Sequence, residues 1–298
     1  MTGESHVARA ILLFLLSGLF LSSLDATAKI LVVRDYPFWW VVWARYAGHL
    51  LVVIPLAWVN LGPGFLRTRH PWLQLARGIL IVIATIAFFS ALRFLPLAEA
   101  SAISFLAPLF IVLLSGPLLG EKVSRQRWIG VAAGFAGILL VTRPGSAAFQ
   151  PATLLMLVMA LSNAVYQILT RKLTGESVYT TLVHSALPGA VVFTLLLPFL
   201  APHPLPNFGD SLLFLALGVF AGLGHWLMIS AFLRAQASQL SPFTYLQMAW
   251  PLLFGWLLFG QFPDSVSIAG MSVIVAAGIW LGWQERRRVQ PLIAPPVD

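Results

Sequence analysis

Residues 90–120 read SALRFLPLAEASAISFLAPLFIVLLSGPLLG, and residues 230–260 read SAFLRAQASQLSPFTYLQMAWPLLFGWLLFG. A shift of 140 positions lays one on the other: Ser90-Ala91 on Ser230-Ala231, Ser101 on Ser241, Leu106 on Leu246 and Gly120 on Gly260. Further on, Gly130 falls on Gly270 and Ala136 on Ala276. Upstream the match thins, with Ser22 on Ser162 about all that remains. Each quoted stretch is long and apolar enough to hold a bilayer-crossing helix, so the repeat is measured in membrane spans.

Cutting the chain at charges, turn residues and Pro/Gly clusters gives ten such spans. They run Val7–Val33, Phe38–Asn60, Trp72–Arg93, Leu97–Leu119, Trp128–Thr142, Ala152–Thr170, Tyr179–Leu200, Ser211–Leu233, Leu240–Gly260 and Val266–Gln284. Spans 3–5 fall on spans 8–10, and by extension 1–5 repeat as 6–10. Five is odd, so the second copy enters the membrane upside down, the inverted-repeat architecture of secondary transporters. The expected fold is an all-α integral membrane protein: ten transmembrane helices in two inverted repeats, residues 1–145 and 146–288, around a central cavity, with a cytoplasmic tail at 289–298. None of the runs alternates polar and apolar as barrel strands do. Within the first span, Arg9, the apolar run after it and Ala26-Thr27-Ala28 also fit a cleavable signal peptide. Loop parity and the repeat both require it to stay.

Composition agrees. Of 298 residues, 59% are apolar and 9% charged, against about 25% charged in an ordinary soluble domain. The absence of cysteine removes disulfides, thiolate metal sites and thiol catalysis, and no metal centre or cofactor is expected. The net charge of +8 is a matter of sidedness. Arg9, Arg67, Arg69, Arg77, Lys122, Arg125, Arg127, Arg171, Lys172, Arg234 and Arg286–Arg288 fall on one side, 13 in all, against Arg34, Arg93 and Arg143 on the other. The positive-inside rule puts the first side, with both termini, in the cytoplasm. These charges are dispersed topology markers, so nucleic acid is not a partner.

Ionisable groups inside a span are costly and are functional candidates by default. Asp25 and Arg45 stand at about the same depth in spans 1 and 2, with Lys29 one turn beyond Asp25 and His49 one turn inward of Arg45. Two readings stay open: an ion pair that locks the two helices, or a site for a zwitterion, with Arg45 on a carboxylate and Asp25 on an amine or a proton. Near the span centres lie Asn163, Tyr166 and Gln167, His225 with Trp226, and Tyr245, Gln247 and Trp250. Phe88, Phe89, Ser101 and Ser104 are their counterparts in the first copy. Uncharged polar and aromatic groups together suit a pocket for small amphipathic molecules; single Ser, Asn and Gln residues also serve helix–helix hydrogen bonds. His184 reads as a satisfied interior histidine, and Trp39, Trp40 and Trp43 as an interfacial belt. Pro108 and Pro251, near the centres of spans 4 and 9, are the candidate hinges. Gly130–Gly134 and Gly218–Gly222 permit tight packing; they say nothing of oligomers, and a monomer is the default.

Several motifs resemble the drug/metabolite transporter superfamily in its ten-helix, EamA-type branch. They are Arg45-Tyr46, the stretch from Ala98 through Pro108, Gly120-Glu121, the Trp128–Gly137 run with its spaced glycines, and Ser238–Pro242, Gly260 and Gly270 in the second copy. The chain departs from the pattern at Gln261, which stands where Glu121 stands in the first copy. The resemblance implies a cavity lined by spans 1–4 and 6–9, with 5 and 10 peripheral. It also implies a small-molecule cargo, since members move amino acids, drugs, nucleosides, vitamins and sugars. The chain is similar to the bacterial aromatic amino-acid exporters, so the expected activity is alternating-access export of amino acids across a bacterial inner membrane. A drug, nucleoside or vitamin cargo is the alternative.

The rival classes find little support. An intramembrane enzyme would show His-Glu-x-x-His, paired aspartates or Gly-x-Ser-x-Gly, and none occurs. A receptor or assembly factor would need a partner surface that the short loops do not supply. There is no Walker motif, so ATP does not drive transport within this chain. Proton coupling would run through Asp25, His49 or His225; without it the protein is a passive facilitator.

Overall fold

The computed structural model describes residues 3–119, 125–146, 149–173, 175–200, 205–232, 234–235 and 237–289. Gly120-Glu121, Lys122, Leu233 and the tail beyond Val289 lie outside the described residues, as do the side chains of Pro117, Arg127, Arg171, Ser241, Pro242 and Arg286–Arg288. Twelve α-helices follow one another: α1 Gly3–Val33, α2 Phe38–Leu61, α3 Pro71–Ala91, α4 Leu97–Ser104, α5 Ala107–Leu119 and α6 Arg125–Thr142, then α7 Thr153–Arg171, α8 Val178–Leu196, α9 Phe208–Phe232, α10 Ala237–Leu246, α11 Ala249–Phe259 and α12 Ser265–Val289. No strand occurs among the described residues. Among the described residues seven helical segments are long and apolar enough to cross a membrane, and Trp128–Thr142, Phe243–Phe259 and Ser265–Leu281 are shorter apolar helices.

The helix ends follow from backbone chemistry. Pro71 opens α3 where no N–H is needed. The first helix closes with Asp35 left-handed (φ 61°) and the Tyr36 N–H on the Leu31 carbonyl, a Schellman-type stop. Gly260 ends α11 at φ 62° and donates to the Gly255 and Trp256 carbonyls. This glycine closes the matched fourth span of the second copy.

Spans 4 and 9 are each two helices. The first breaks at Phe105-Leu106, between α4 and α5, and the second at Gln247-Met248, between α10 and α11. Pro108 and Pro251 lie just past the breaks, in the first turns of α5 and α11. A proline there forfeits no hydrogen bond of its own half-helix, but it cannot complete the ladder back to the preceding half. The interruption therefore falls ahead of each expected hinge. The two breaks meet: the rings of Phe105 and Tyr245, residues 140 apart, lie 5.6 Å centre to centre.

Packing comes in matched sets. Helix α1 lies along α9 as α3 lies along α7; α2 packs on α9 as α8 packs on α3; α2 faces α8, and α6 faces α12. Exchanging the first five spans with the last five turns this set of pairs into itself. The interior is no more apolar than the outer surface: Leu51, Val59 and Trp72 are exposed, while Ala28, Ala44, Ala57 and Ala87 are buried. In lipid, close approach rather than hydrophobicity holds helices together, and small residues allow it. Gly48 of α2 meets Gly218 of α9 backbone to backbone, where a Cβ on Gly48 would stand 2.6 Å from the Gly218 Cα.

Contacts between loops define two ends. At the Asp210 end, Arg34 pairs with Asp210, Arg143 with Asp264, and Arg93 with Asp35 at 2.6 Å. The Arg143 guanidinium and the Ser267 N–H hold the Asp264 carboxyl well below the usual carboxylate range. At the opposite end Glu176 accepts from Thr68 Oγ1 (3.0 Å) and the Arg69 N–H (2.7 Å). Arg77, counted above among the loop charges, instead lies inside α3 and is 1% exposed.

The glycine crossing yields a prediction. Gly218→Leu forces α2 and α9 apart and should destabilise the protein by about 2–3 kcal/mol, read as a lowered thermal midpoint in detergent. Gly64→Ala, in open space, should leave the midpoint unchanged. Equal midpoints would show that the crossing is not a packing constraint.

Candidate functional site

A narrow cavity opens midway along the bundle where α2, α3, α7, α8 and α9 converge. Its polar lining is Arg45, Tyr46, His49, Tyr166, Ser185 and His225, and Ile81, Leu182 and Ala186 complete the wall. One turn of α2 sets Arg45 and His49 on the same face. The His49 and His225 rings then meet edge to face at 5.4 Å. His225 Nδ1 lies 2.8 Å from the Ala221 carbonyl, an acceptor only, so this nitrogen carries the proton. In the neutral ring Nε2 is left as an acceptor. His49 Nε2 is buried without a hydrogen-bond partner among the described residues.

Arg45 has no carboxylate within ion-pair distance among the described residues. Its Nη1 donates to Tyr46 Oη at 3.1 Å, and its guanidinium lies 5.0 Å from the Tyr46 ring centroid and 5.7 Å from that of Phe89. Tyr46 is in turn fixed by the Ile81 carbonyl (2.9 Å) and Thr85 Oγ1 (2.7 Å). Asp25 makes no hydrogen bond or ion pair among the described residues, and Arg45 attracts it only from longer range. The ion pair considered from equal depth is therefore not formed: depth sets height along the bundle and leaves the angle around each helix free. Lys29 is engaged elsewhere. Its Nζ donates to the Leu95 carbonyl (2.7 Å) and Gln261 Oε1 (2.8 Å), and lies 5.0 Å from the Phe259 ring centroid. It ties α1 to the loops at the Asp210 end, and Gln261, the departure from the first-copy pattern, is its acceptor.

Of the expected pocket residues, His49, Tyr166 and His225 line the cavity and the others do not. Gln247 Nε2 donates to the Phe14 carbonyl at 2.8 Å, Ser104 Oγ back-bonds to Ala100 at 3.1 Å, and Tyr245 sits at the meeting of the breaks. Phe88 is buried in the main core. Among the described residues Asn163 and Gln167 make no side-chain hydrogen bond, and Trp250 Nε1 and Ser101 Oγ are buried without partners. His184 Nδ1 meets the Thr180 carbonyl at 2.9 Å, an interior partner as expected. Sequence reading missed Tyr46, Ser185 and Leu182 as lining. The first follows Arg45 directly, and the last two flank His184 on α8. No group of three or more metal-ligating side chains occurs among the described residues.

Against known proteins, the EamA-like transporter family matches residues 8–143 and again 150–283. The S-adenosylmethionine uptake transporter of Rickettsia bellii is 29% identical, with 94% of this chain and 95% of that one covered. The riboflavin transporter of Vibrio cholerae is 28% identical over 97% of both. The pseudopaline exporter of Pseudomonas aeruginosa is 30% identical over 70% of this chain and 73% of that one. A solved crystal structure with 20% identity matches at a TM-score of 0.63, covering 90% of this chain and 96% of that chain, a likeness of fold.

Tyr46 is the support on which Arg45 rests, so Tyr46→Phe should cost about 1–2 kcal/mol of stability and lower transport with the protein still folded. Thermal unfolding in detergent beside flux in vesicles checks both. Unchanged flux would show that the held position of Arg45 is immaterial.

Proposed function

The chain belongs to the EamA-like transporter family, and from that premise we propose that it exports amino acids, aromatic and hydrophobic ones included, across a bacterial inner membrane. It is a multi-pass membrane transporter of small metabolites and not an enzyme. The proposed mechanism is alternating access by two inverted repeats, residues 1–145 and 146–288, as ten spans with both termini cytoplasmic. The matched helix pairs and the contact of Phe105 with Tyr245 support that division.

One observation carries the cargo assignment. Arg45 is a guanidinium in the middle of the bundle with no carboxylate within ion-pair distance among the described residues, and Asp25 is a carboxyl group with no hydrogen bond among them. A buried charge without a partner costs several kcal/mol or more, so such an arrangement persists where a ligand supplies the missing groups. An α-amino acid carries a carboxylate for Arg45 and an ammonium for Asp25. His49 Nε2 and His225 Nε2 stand beside Arg45 to read further polar atoms, and Phe89 with Tyr166 offers apolar surface.

A second reading, uptake rather than export, has an observation of its own. The relative in Rickettsia bellii is named for uptake of S-adenosylmethionine, a cargo that contains an α-amino carboxylate. The same head group would then travel in the opposite direction. The riboflavin relatives represent the vitamin alternative, whose cargo has neither charge.

Flux of radiolabelled amino acids, S-adenosylmethionine and riboflavin in reconstituted vesicles, with and without a pH gradient, tests the proposal. Saturable amino-acid flux supports it, and riboflavin flux alone refutes it. Acceleration by the gradient would place a proton on the path. Orientation is tested apart: reporters fused after Arg69, Arg125, Arg171 and Arg288 should report cytoplasm, and those after Asp35 and Pro206 the exterior. A cytoplasmic signal after Pro206 would break both the span count and the inverted repeat.

A further inference from the structure

Arg77 stands one step from the cavity toward the Glu176 end. Its guanidinium lies 4.6 Å from the ring centroid of Tyr166, a cavity wall residue. Its Nε donates to Thr170 Oγ1 and its Nη1 to Gln74 Oε1, both at 2.7 Å. Gln74 Nε2 reaches Thr181 Oγ1 at 3.4 Å. Arg77 and Gln74 are 1% and 0% exposed. Here too no carboxylate stands within ion-pair distance among the described residues. A guanidinium does not shed its proton as a buried lysine can, so its charge persists inside the bundle with only neutral oxygens and a ring face around it.

A second recess opens at the Glu176 end, lined by Arg67, Thr68, Arg69, Glu176, Ser177 and Thr180. Thr180 adjoins Thr181, which Gln74 reaches. The cavity, the Arg77 cluster and this recess thus follow one another along a single seam between α2 and α3 on one side and α7 and α8 on the other. Arginine recurs at each level: Arg45 in the cavity, Arg77 behind Tyr166, Arg67 and Arg69 at the mouth. The Asp210 end offers no such series, because Arg34 and Arg93 there are already paired with Asp210 and Asp35.

We infer that this seam is the route by which a cargo carboxylate moves between the cavity and the Glu176 end, with Arg77 as its second binding station. Arg45 holds the carboxylate while the seam is closed. Tyr166 separates the two guanidiniums; when the seam opens its ring leaves Arg77, whose forked N–H groups then take the carboxylate in place of Thr170 and Gln74. Arg67 and Arg69 stand at the mouth of the seam, where in export the carboxylate first enters from the cytoplasmic side on its way to Arg77 and Arg45. The inference rests on the carboxylate-bearing cargo proposed above and adds the path and the second station. A structural arginine that merely fastens α3 to α7 is the competing account.

The test uses the full chain, purified and reconstituted, with substrate pairs that differ only by a carboxylate: L-phenylalanine against phenethylamine, and L-tryptophan against tryptamine. The acids should raise the thermal midpoint and be carried, and the amines should do neither. Arg45→Gln should abolish both effects. Arg77→Gln should stop flux while L-phenylalanine still raises the midpoint, because the first station is intact. Arg77→Lys keeps the charge and loses the fork. It should fold and raise KM by about tenfold or more, and it decides the matter should Arg77→Gln fail to fold. Wild-type KM and rate in Arg77→Lys, or amines carried as well as acids, would overturn the inference. Riboflavin flux without amino-acid flux would also overturn it while leaving the chain a transporter; no flux of any cargo would count against the transport proposal itself.

Discussion

A guanidinium keeps its proton, and inside a lipid-spanning bundle that proton brings a charge which must be answered. Arg45 and Arg77 are held there with no carboxylate within ion-pair distance among the described residues. Much of the interior is arranged to make this tolerable. Tyr46 turns its hydroxyl to Arg45 and its other bonds to α3, and Thr170 and Gln74 offer oxygens to Arg77. Aromatic faces cover the rest, as Phe89 and Tyr166 do. The alanine- and glycine-lined crossings bring backbones close enough to hold these long side chains in place.

The two ends of the bundle are closed by different chemistry. At the Asp210 end the loops are joined by full ion pairs, and Lys29 draws α1 onto the Leu95 and Gln261 loops. Toward the Glu176 end the closure is made by the Glu176 carboxylate on Thr68 and the Arg69 N–H, and by a ring face and uncharged oxygens around Arg77. Between them the half-helices of spans 4 and 9 meet at Phe105 and Tyr245. A continuous helix resists bending, whereas a break whose second half begins with a proline turn has a missing ladder bond at which one half can tilt. Both breaks lie in the middle of the bundle, where tilting would open either end about a fixed centre, as alternating access requires.

Much of this was legible in the sequence. Apolar runs of span length gave the helices, and the paired prolines marked where spans 4 and 9 would give way. Arg45, His49, Tyr166 and His225 were picked out by charge or polarity at mid-span and do line the cavity. The misreadings share one cause. Depth along a span is read from residue number, but the direction a side chain takes around its helix depends on the neighbours. Asp25 and Arg45 share a height without meeting, while Lys29 finds loops distant in sequence. Gln247 and Tyr245 turn toward Phe14 and Phe105 rather than the cavity. Arg77 was assigned to a loop because charges near span ends serve as topology markers, and only the packing of α3 on α7 and α8 shows that it is buried.

The absence of cysteine from the chain makes the central claim, alternate opening of one cavity to two faces, directly measurable. A single cysteine at Ser185, a cavity wall position on α8, can be challenged with a membrane-impermeant maleimide from either face of sealed vesicles. The account predicts labelling from both faces over time. It also predicts that cross-linking cysteines at positions 34 and 210 abolishes labelling from the Asp210 end and leaves it from the Glu176 end. Labelling from one face only before any cross-link, or from neither, would contradict it.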